Sequence, residues 1–132
     1  MSLVLVLLCV GAVNVGETEA AAARLDRALQ AALYYVWTNP TTFNALEIQS
    51  AATAAYGASS PSLTVSSSTS CSCVTSGYKP ASSVSCTGNC STGQTMASYV
   101  KIVLSTTYSV PASYPGLPSS ESLSVSGTAR YQ

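Results

Sequence analysis

The fold of this chain is decided by residues 17–37, which read ETEAAAARLDRALQAALYYVW and contain no glycine or proline. Most of these residues favour the helical conformation, so the stretch predicts a helix. Its apolar side chains recur at a helical spacing and share one face of that helix; they are Leu25, Ala28, Leu29, Ala32, Leu33 and Val36. An apolar face of this kind needs a partner surface, which the strands further along the chain are expected to supply.

Toward the N-terminus the helix continues into a segment of different character. Residues 1–16 read MSLVLVLLCVGAVNVG, and residues 3–13 form an unbroken apolar run without charge. Alone, this run is shorter than the about 20 residues that cross a bilayer. Joined to residues 17–37, it predicts a helix about 50 Å long. We expect residues 1–16 to be a membrane or filament-core segment whose packing surface consists of Leu3, Val4, Leu5, Val6, Leu7, Leu8, Val10 and Val13.

Two alternatives to an anchor remain for this apolar run. A secretory signal peptide normally has Lys or Arg ahead of its apolar core, and no basic residue precedes the run here. A helix buried in the protein core is the second alternative. An uncharged start that leads directly into a long helix favours the anchor over both, and Cys9 within it is expected to be a small buried side chain.

The head, residues 17–132, is predicted to contain a second, shorter helix over residues 40–57. Asn39 is expected to be its N-cap and Pro40 its first residue, because proline is well tolerated in the first turn of a helix. Gly57 is expected just beyond its last turn, where glycine adopts the left-handed conformation.

From residue 61 onward the apolar period changes to two, which predicts strands at residues 62–69, 99–108 and 122–131. The cysteine region has room for a fourth strand. The sequence therefore predicts an α+β fold with a long N-terminal helix, a short second helix and a sheet of three to four antiparallel strands packed on the first helix. The predicted helix–sheet core consists of Leu25, Leu29, Ala32, Leu33, Val36, Val100, Ile102, Leu104, Leu123 and Val125.

Four of the five cysteines lie in residues 71–90, CSCVTSGYKPASSVSCTGNC; they are Cys71, Cys73, Cys86 and Cys90. Zinc ribbons open with C-x2-C and thioredoxin-like sites also need C-x-x-C, so the C-x-C spacing disfavours both. Two disulfides are expected instead if the head lies outside the cytoplasm. A bond between Cys71 and Cys73 would be strained, which leaves the nested pairing (73–86 inside 71–90) and the crossed pairing (71–86 with 73–90).

The composition disfavours catalysis and nucleic-acid binding. The chain has no histidine, only 8% charged residues and a formal net charge of zero. It therefore lacks the usual general base and the basic surface that contacts phosphates. We predict no enzyme activity, no catalytic residue, no cofactor, no metal, no small-molecule substrate and no nucleic-acid partner.

The layout resembles a known family. A long helix, apolar and then amphipathic, leads through RLDRALQAALYYVWTNP (residues 24–40) to a short helix and a Ser/Thr-rich head with a C-x-C element. The chain closes with YVKIVLSTTY (residues 99–108) and SVSGTARYQ (residues 124–132). Over nearly its whole length it resembles the TadE-like minor pilins, or pseudopilins, of bacterial tight-adherence (Tad) pili.

The resemblance implies a pilin-like head on residues 17–132 and a structural or assembly role in an adhesive pilus. It implies that the N-terminal helix contacts other pilin subunits, pilus assembly proteins and the inner membrane, with the head outside the cytoplasm or in an extracellular pilus. Family members carry a glutamate just inside the mature end of the apolar segment. Glu17 and Glu19 follow the apolar run and are not matched to it.

A membrane-tethered or secreted binding module, stapled by disulfides, is the alternative function. In that case Tyr78, Tyr114 and the loop of residues 111–118 would contact a glycan or a protein, because tyrosines on Ser/Gly-rich loops suit such contacts.

Overall fold

The structure, a computed structural model, describes residues 2–41, 44–57, 61–75, 80–109 and 119–131. In chain order the described elements are α1 Ser2–Thr38, α2 Ala45–Tyr56, β1 Leu63–Val74, β2 Pro80–Val84, β3 Thr95–Ser109 and β4 Ser120–Arg130. The four described strands form one antiparallel sheet in the order β2-β1-β3-β4. The predicted α+β fold is confirmed, and β2 is the fourth strand.

The core lies between one face of the sheet and the apolar stripe of α1. Leu25 and Ala32 are fully buried and Val36 nearly so, while Leu29 and Leu33 are half-buried against the same cluster. Each large apolar side chain removed from water contributes about 1.5–3 kcal/mol. The sheet contributes Val100, Ile102 and Leu104, which are fully buried, together with Leu123 and Val125, which are half-buried.

Gly127 allows α1 to approach β4 closely. It lies opposite Ile102 in the β3–β4 register. A Cβ atom at this position would lie 2.9 Å from the Cδ1 atom of Leu33 and 3.3 Å from that of Leu29. The absence of a side chain therefore leaves room for the two leucines over the sheet.

The predicted start of the second helix is wrong by five residues. Asn44, not Asn39, is the N-cap, and its side-chain oxygen accepts a hydrogen bond from the amide N of Leu46 at 3.1 Å. Asn39 instead belongs to the end of α1, because its side-chain amide donates to the carbonyl of Tyr35 at 3.0 Å. At the other end the prediction holds: Gly57 adopts φ 67° and donates its N–H to the carbonyl of Thr53.

Two strands are longer than their alternating patterns predicted. β1 continues beyond Thr69 to Val74, and β3 begins at Thr95 rather than Tyr99. The added residues pair with one another over the whole length, from Ser70 opposite Tyr99 to Val74 opposite Thr95. The added residues show no regular apolar alternation. Pairing between the strands and the burial of Cys71, Cys73, Val74 and Ala97 hold these ends together.

Candidate functional site

The N-terminal part of α1 stands clear of the head. Val4, Leu5, Val6, Leu8, Val13 and Val15 are between 55% and 70% exposed. Val10 is half-buried, and the side chains of Leu3 and Leu7 lie outside those that the structure describes. Cys9 is exposed, so the expectation that it is buried is wrong. The expectation assumed that other elements pack around this part of the helix, but no described element packs on α1 near Cys9.

By length and composition, α1 could cross a membrane. Among the described residues, one helix is long and apolar enough to do so; it covers Val4–Thr38 and contains an 18-residue apolar window with a mean hydropathy of 1.6. Only 6% of its apolar window is buried in the head. A core helix of a soluble protein is mostly buried, so the apolar first part of α1 does not fit that alternative.

A short polar network joins α1 to the sheet where the apolar segment ends. The Thr18 hydroxyl donates to the carbonyl of Asn14 at 2.9 Å and is hydrogen-bonded to the Tyr108 hydroxyl. The Tyr108 hydroxyl also lies 3.2 Å from a carboxylate oxygen of Glu121, and its one proton is donated either to this oxygen or to Thr18. The side-chain oxygen of Asn14 is buried and has no hydrogen-bond partner among the described residues. This network therefore marks the position along α1 where the helix first contacts the sheet.

An open cleft of about 600 Å³ lies beside this network. One wall is the face of α1 that carries Glu17, Ala20, Ala21 and Arg24. The opposite wall consists of uncharged residues at the ends of three strands and is rich in hydroxyl groups: Pro61, Ser62, Thr107, Tyr108, Ser109 and Ser120. The charged groups of the cleft therefore all lie on α1, two helical turns apart.

Glu17 and Arg24 are both exposed, and neither has an ion pair or hydrogen bond with another described residue. Their spacing of seven residues puts them on the same side of the helix, about 10 Å apart along its axis. The two opposite charges are too far apart to neutralise each other within one chain. Each is available to a group that enters the cleft.

The four cysteines of the head form two disulfides in the crossed pairing, Cys71–Cys86 and Cys73–Cys90. Cys71 and Cys73 are two residues apart on β1 and face the same side of the sheet as the buried core. Both cysteines are buried, and their bonds hold residues 86 and 90 at this end of β1. The bonds therefore stabilise a polar region that has little apolar surface to bury.

The residues predicted for a binding loop lie in parts of the chain that the structure does not describe. Tyr78, Tyr114 and the loop of residues 111–118 lie outside the described residues. Within the described part of the chain, no group of three or more His, Cys, Asp or Glu side chains is placed to hold a metal ion. Exposed aromatic side chains occur instead at the far end of α1, where Trp37 is 74% and Tyr34 is 66% exposed.

The cleft is not predicted from the sequence. Its walls come from three separated parts of the chain, near residues 17–24, 61–62 and 107–120. The sequence contains one sign of its helical wall: the opposite charges at positions 17 and 24 lie seven residues apart on the predicted helix. Comparison with protein-family models, with characterised proteins and with solved structures finds no match to this chain.

Proposed function

We propose that this protein is a structural or assembly subunit of a surface filament, of the TadE-like minor pilin type. Its N-terminal helix is the anchor, first in the inner membrane and then among the helices of neighbouring subunits. Its disulfide-bonded head lies outside the cytoplasm. Other pilin subunits and pilus assembly proteins are its partners.

The observation that carries this proposal is the continuity of α1. One helix of 37 residues is exposed and apolar in its first part and forms the core of the head in its second part. A cleaved signal peptide need not be continuous with the helix on which the mature fold is built. Here the sheet already contacts α1 at Thr18, two residues beyond the apolar segment.

The two disulfides support the placement of the head. Disulfides persist in oxidising compartments and are rare in the cytoplasm of most cells. They lie in the head and away from the apolar segment. An anchor in the inner membrane with an oxidised head agrees with a protein exported through that membrane and retained by it.

The test is to fractionate cells that produce either the wild-type full-length protein or its Leu8→Arg variant. An arginine in the middle of a spanning helix costs about 2.5–3.5 kcal/mol. We expect the wild type in the membrane and sheared-filament fractions, and a clear loss of the variant from both. The control is Glu19→Arg, a charge change outside the apolar segment. Wild-type protein found wholly in the soluble secreted fraction contradicts the proposal.

A second candidate function, a tethered binding module, is favoured by Trp37 and Tyr34. These exposed aromatic side chains lie on neighbouring turns at the opposite end of α1 from the anchor. Aromatic residues of this kind often contribute most of the binding free energy at interfaces. Adhesion of cells with Trp37→Ala separates the two functions: loss of adhesion with normal filaments indicates a binding head, and unchanged adhesion argues against it.

A further inference from the structure

The face of the sheet that points away from the helices carries mainly hydroxyl side chains. Because successive side chains of a strand point to opposite faces, every second residue of β1, β3 and β4 lies on this outer face. The core residues Ile102 and Leu104 lie on the other face, which packs against the helices. The hydroxyl side chains of the outer face are every second residue from Thr64 to Ser70 and from Ser122 to Thr128, with Ser105 and Thr107 on β3. All are exposed except Ser105, which is half-buried.

The middle strand of the outer face carries its larger side chains. Tyr99, Lys101 and Val103 lie on β3, whereas the residues level with Lys101 and Val103 on β1 and β4 are serines and one threonine. The outer face therefore has a ridge along β3 and a shallow trough on each side of it. The trough along β4 runs for about 20 Å, from Ser122 to Thr128.

The charges of the head are divided between its two sides. All five acidic residues lie on the helices or on the side of the sheet that faces α1; they are Glu17, Glu19, Asp26, Glu47 and Glu121. The charged residues of the outer face are Lys101 and Arg130, which are both basic and exposed. Arg130 lies two residues beyond Thr128, the partner of Lys101 in the register, so the two basic residues form a diagonal pair about 7–8 Å apart. Two neighbouring positive charges therefore lie on a face without acidic residues.

We propose that the outer face binds an acidic polysaccharide, a chain of sugar units with carboxylate groups, in the trough along β4. Each serine or threonine hydroxyl both donates and accepts hydrogen bonds, which matches the hydroxyl groups of a sugar. Lys101 and Arg130 pair with carboxylates of the chain in charge-assisted hydrogen bonds. The small side chains of the trough allow the sugar chain to lie against the strand. This inference goes beyond the proposed function, because it needs neither the anchor nor a second subunit.

Other classes of ligand fit the outer face less well. A neutral polysaccharide leaves both basic residues without a carboxylate. The affinity of a protein for nucleic acid depends on the number of phosphates that it neutralises, and two basic residues neutralise few. The buried centre of a protein interface is rich in aromatic and apolar side chains, and on this face only Tyr99 and Val103 are of that kind. The face also lies on the opposite side of the sheet from α1, so subunits that pack on α1 leave it open.

The test measures the dissociation constant of the purified full-length protein for immobilised polygalacturonate. The protein is kept in a non-ionic detergent without a sugar headgroup, so that the detergent does not compete. We expect binding that weakens as the salt concentration rises, because exposed charges are screened. We expect much weaker binding to dextran, a neutral polysaccharide, and to single-stranded DNA. No binding to polygalacturonate, or equal binding to dextran or DNA, overturns the proposal.

Charge removal on the outer face tests the two basic residues. Lys101→Gln and Arg130→Gln are each expected to raise the dissociation constant about threefold, and the double variant about tenfold, because exposed ion pairs are weak individually. Lys101→Arg keeps the charge and should bind as the wild type does. The matched control is Arg27→Gln, the same charge change at an exposed position on α1, and it should also bind as the wild type does. Equal losses at Arg27 and Lys101 overturn the proposal.

A second pair of variants tests the trough itself. Thr128→Val removes a hydroxyl from the trough along β4 while nearly keeping the shape of the side chain, and should raise the dissociation constant about threefold. Thr64→Val makes the same change on β1, beside the other trough, and should leave it unchanged. No loss with Thr128→Val, or an equal loss with Thr64→Val, overturns this placement of the ligand. If circular dichroism shows that Arg130→Gln is unfolded, Lys101→Glu replaces it, and an unchanged dissociation constant there overturns the proposal.

Failure of this inference is distinguishable from failure of the proposed function. A protein that stays in the membrane and filament fractions, yet does not bind polygalacturonate, retains the proposed function and excludes this ligand. A protein that is secreted in soluble form and binds polygalacturonate through Lys101 excludes the proposed function and retains this inference.

Discussion

The crossed disulfides should stabilise the head by an amount that depends on whether the other bond is present. The variants are Cys71→Ala with Cys86→Ala, Cys73→Ala with Cys90→Ala, and the combination of all four. Replacing both partners of a bond avoids a free thiol. Each bond alone closes a loop with a sequence separation of 15 or 17 residues. The chain-entropy estimate for such a loop is about 3 kcal/mol.

The two loops overlap, however, so each bond is partly redundant with the other. When one bond is intact, the second bond closes a shorter loop that runs through the first bond and contains roughly seven residues. The chain-entropy estimate for closing this loop is about 2.4 kcal/mol. We therefore expect each single removal to lower the free energy of unfolding by about 2.4 kcal/mol. Removing both bonds should lower it by about 5.5 kcal/mol, about 0.7 kcal/mol more than the sum of the single losses.

The assay is urea unfolding of the full-length protein in a non-ionic detergent without reductant, followed by circular dichroism. Cys9→Ala is the matched control, because this cysteine is free and exposed, and its stability should equal that of the wild type. Single losses below about 0.5 kcal/mol would refute the reasoning, since the bonds would then constrain little of the unfolded chain. Partial reduction with stepwise alkylation and mass spectrometry should show links 71–86 and 73–90; links 71–90 and 73–86 contradict the crossed pairing.

Four further substitutions, one of them a control, test the packing of the head by the same assay. Leu25→Ala removes a fully buried side chain and should cost about 2–5 kcal/mol, whereas Leu46→Ala, at a position 76% exposed, should change stability by less than about 0.5 kcal/mol. Gly57→Ala should cost about 1 kcal/mol because φ is 67° there, and an unchanged stability would contradict that conformation. Tyr108→Phe removes the hydroxyl that contacts Thr18 and Glu121 and should cost about 1 kcal/mol; no loss would show that the network does not stabilise the junction.

The sequence predicts the parts of this fold that depend on apolar periodicity. The stripe through Leu25 and Ala32 and the alternation through Ile102 and Leu104 are strong patterns, and these residues form the core. The start of α2 was mispredicted because Asn39 and Asn44 are both suitable N-caps. The choice depends on the hydrogen bond that Asn39 makes backward to α1, which a local pattern does not contain.

The candidate site was less predictable for a different reason. The exposed apolar segment is visible in the sequence as an uncharged run, but the cleft requires the ends of β3 and β4 to lie beside Arg24. Such a meeting of distant segments is set by strand order and register. The disulfide pairing also depends on how distant segments meet. The nested and crossed pairings use the same four cysteines and differ only in whether Cys86 or Cys90 is bonded to Cys71.

The continuity of α1 also determines how the molecule carries mechanical load. A force applied at its apolar end passes along one unbroken helix, from Ser2 to Thr38, without a loop that would extend first. Its contacts with the sheet are spread along the helix, from Thr18 beside Tyr108 to Leu33 over Gly127, so they resist the force together as a shear. The disulfides link residues at the far end of β1, outside this path. Tension between the apolar end of α1 and the head is therefore borne by the helix–sheet packing, and the disulfides maintain the shape of a part that carries little of it.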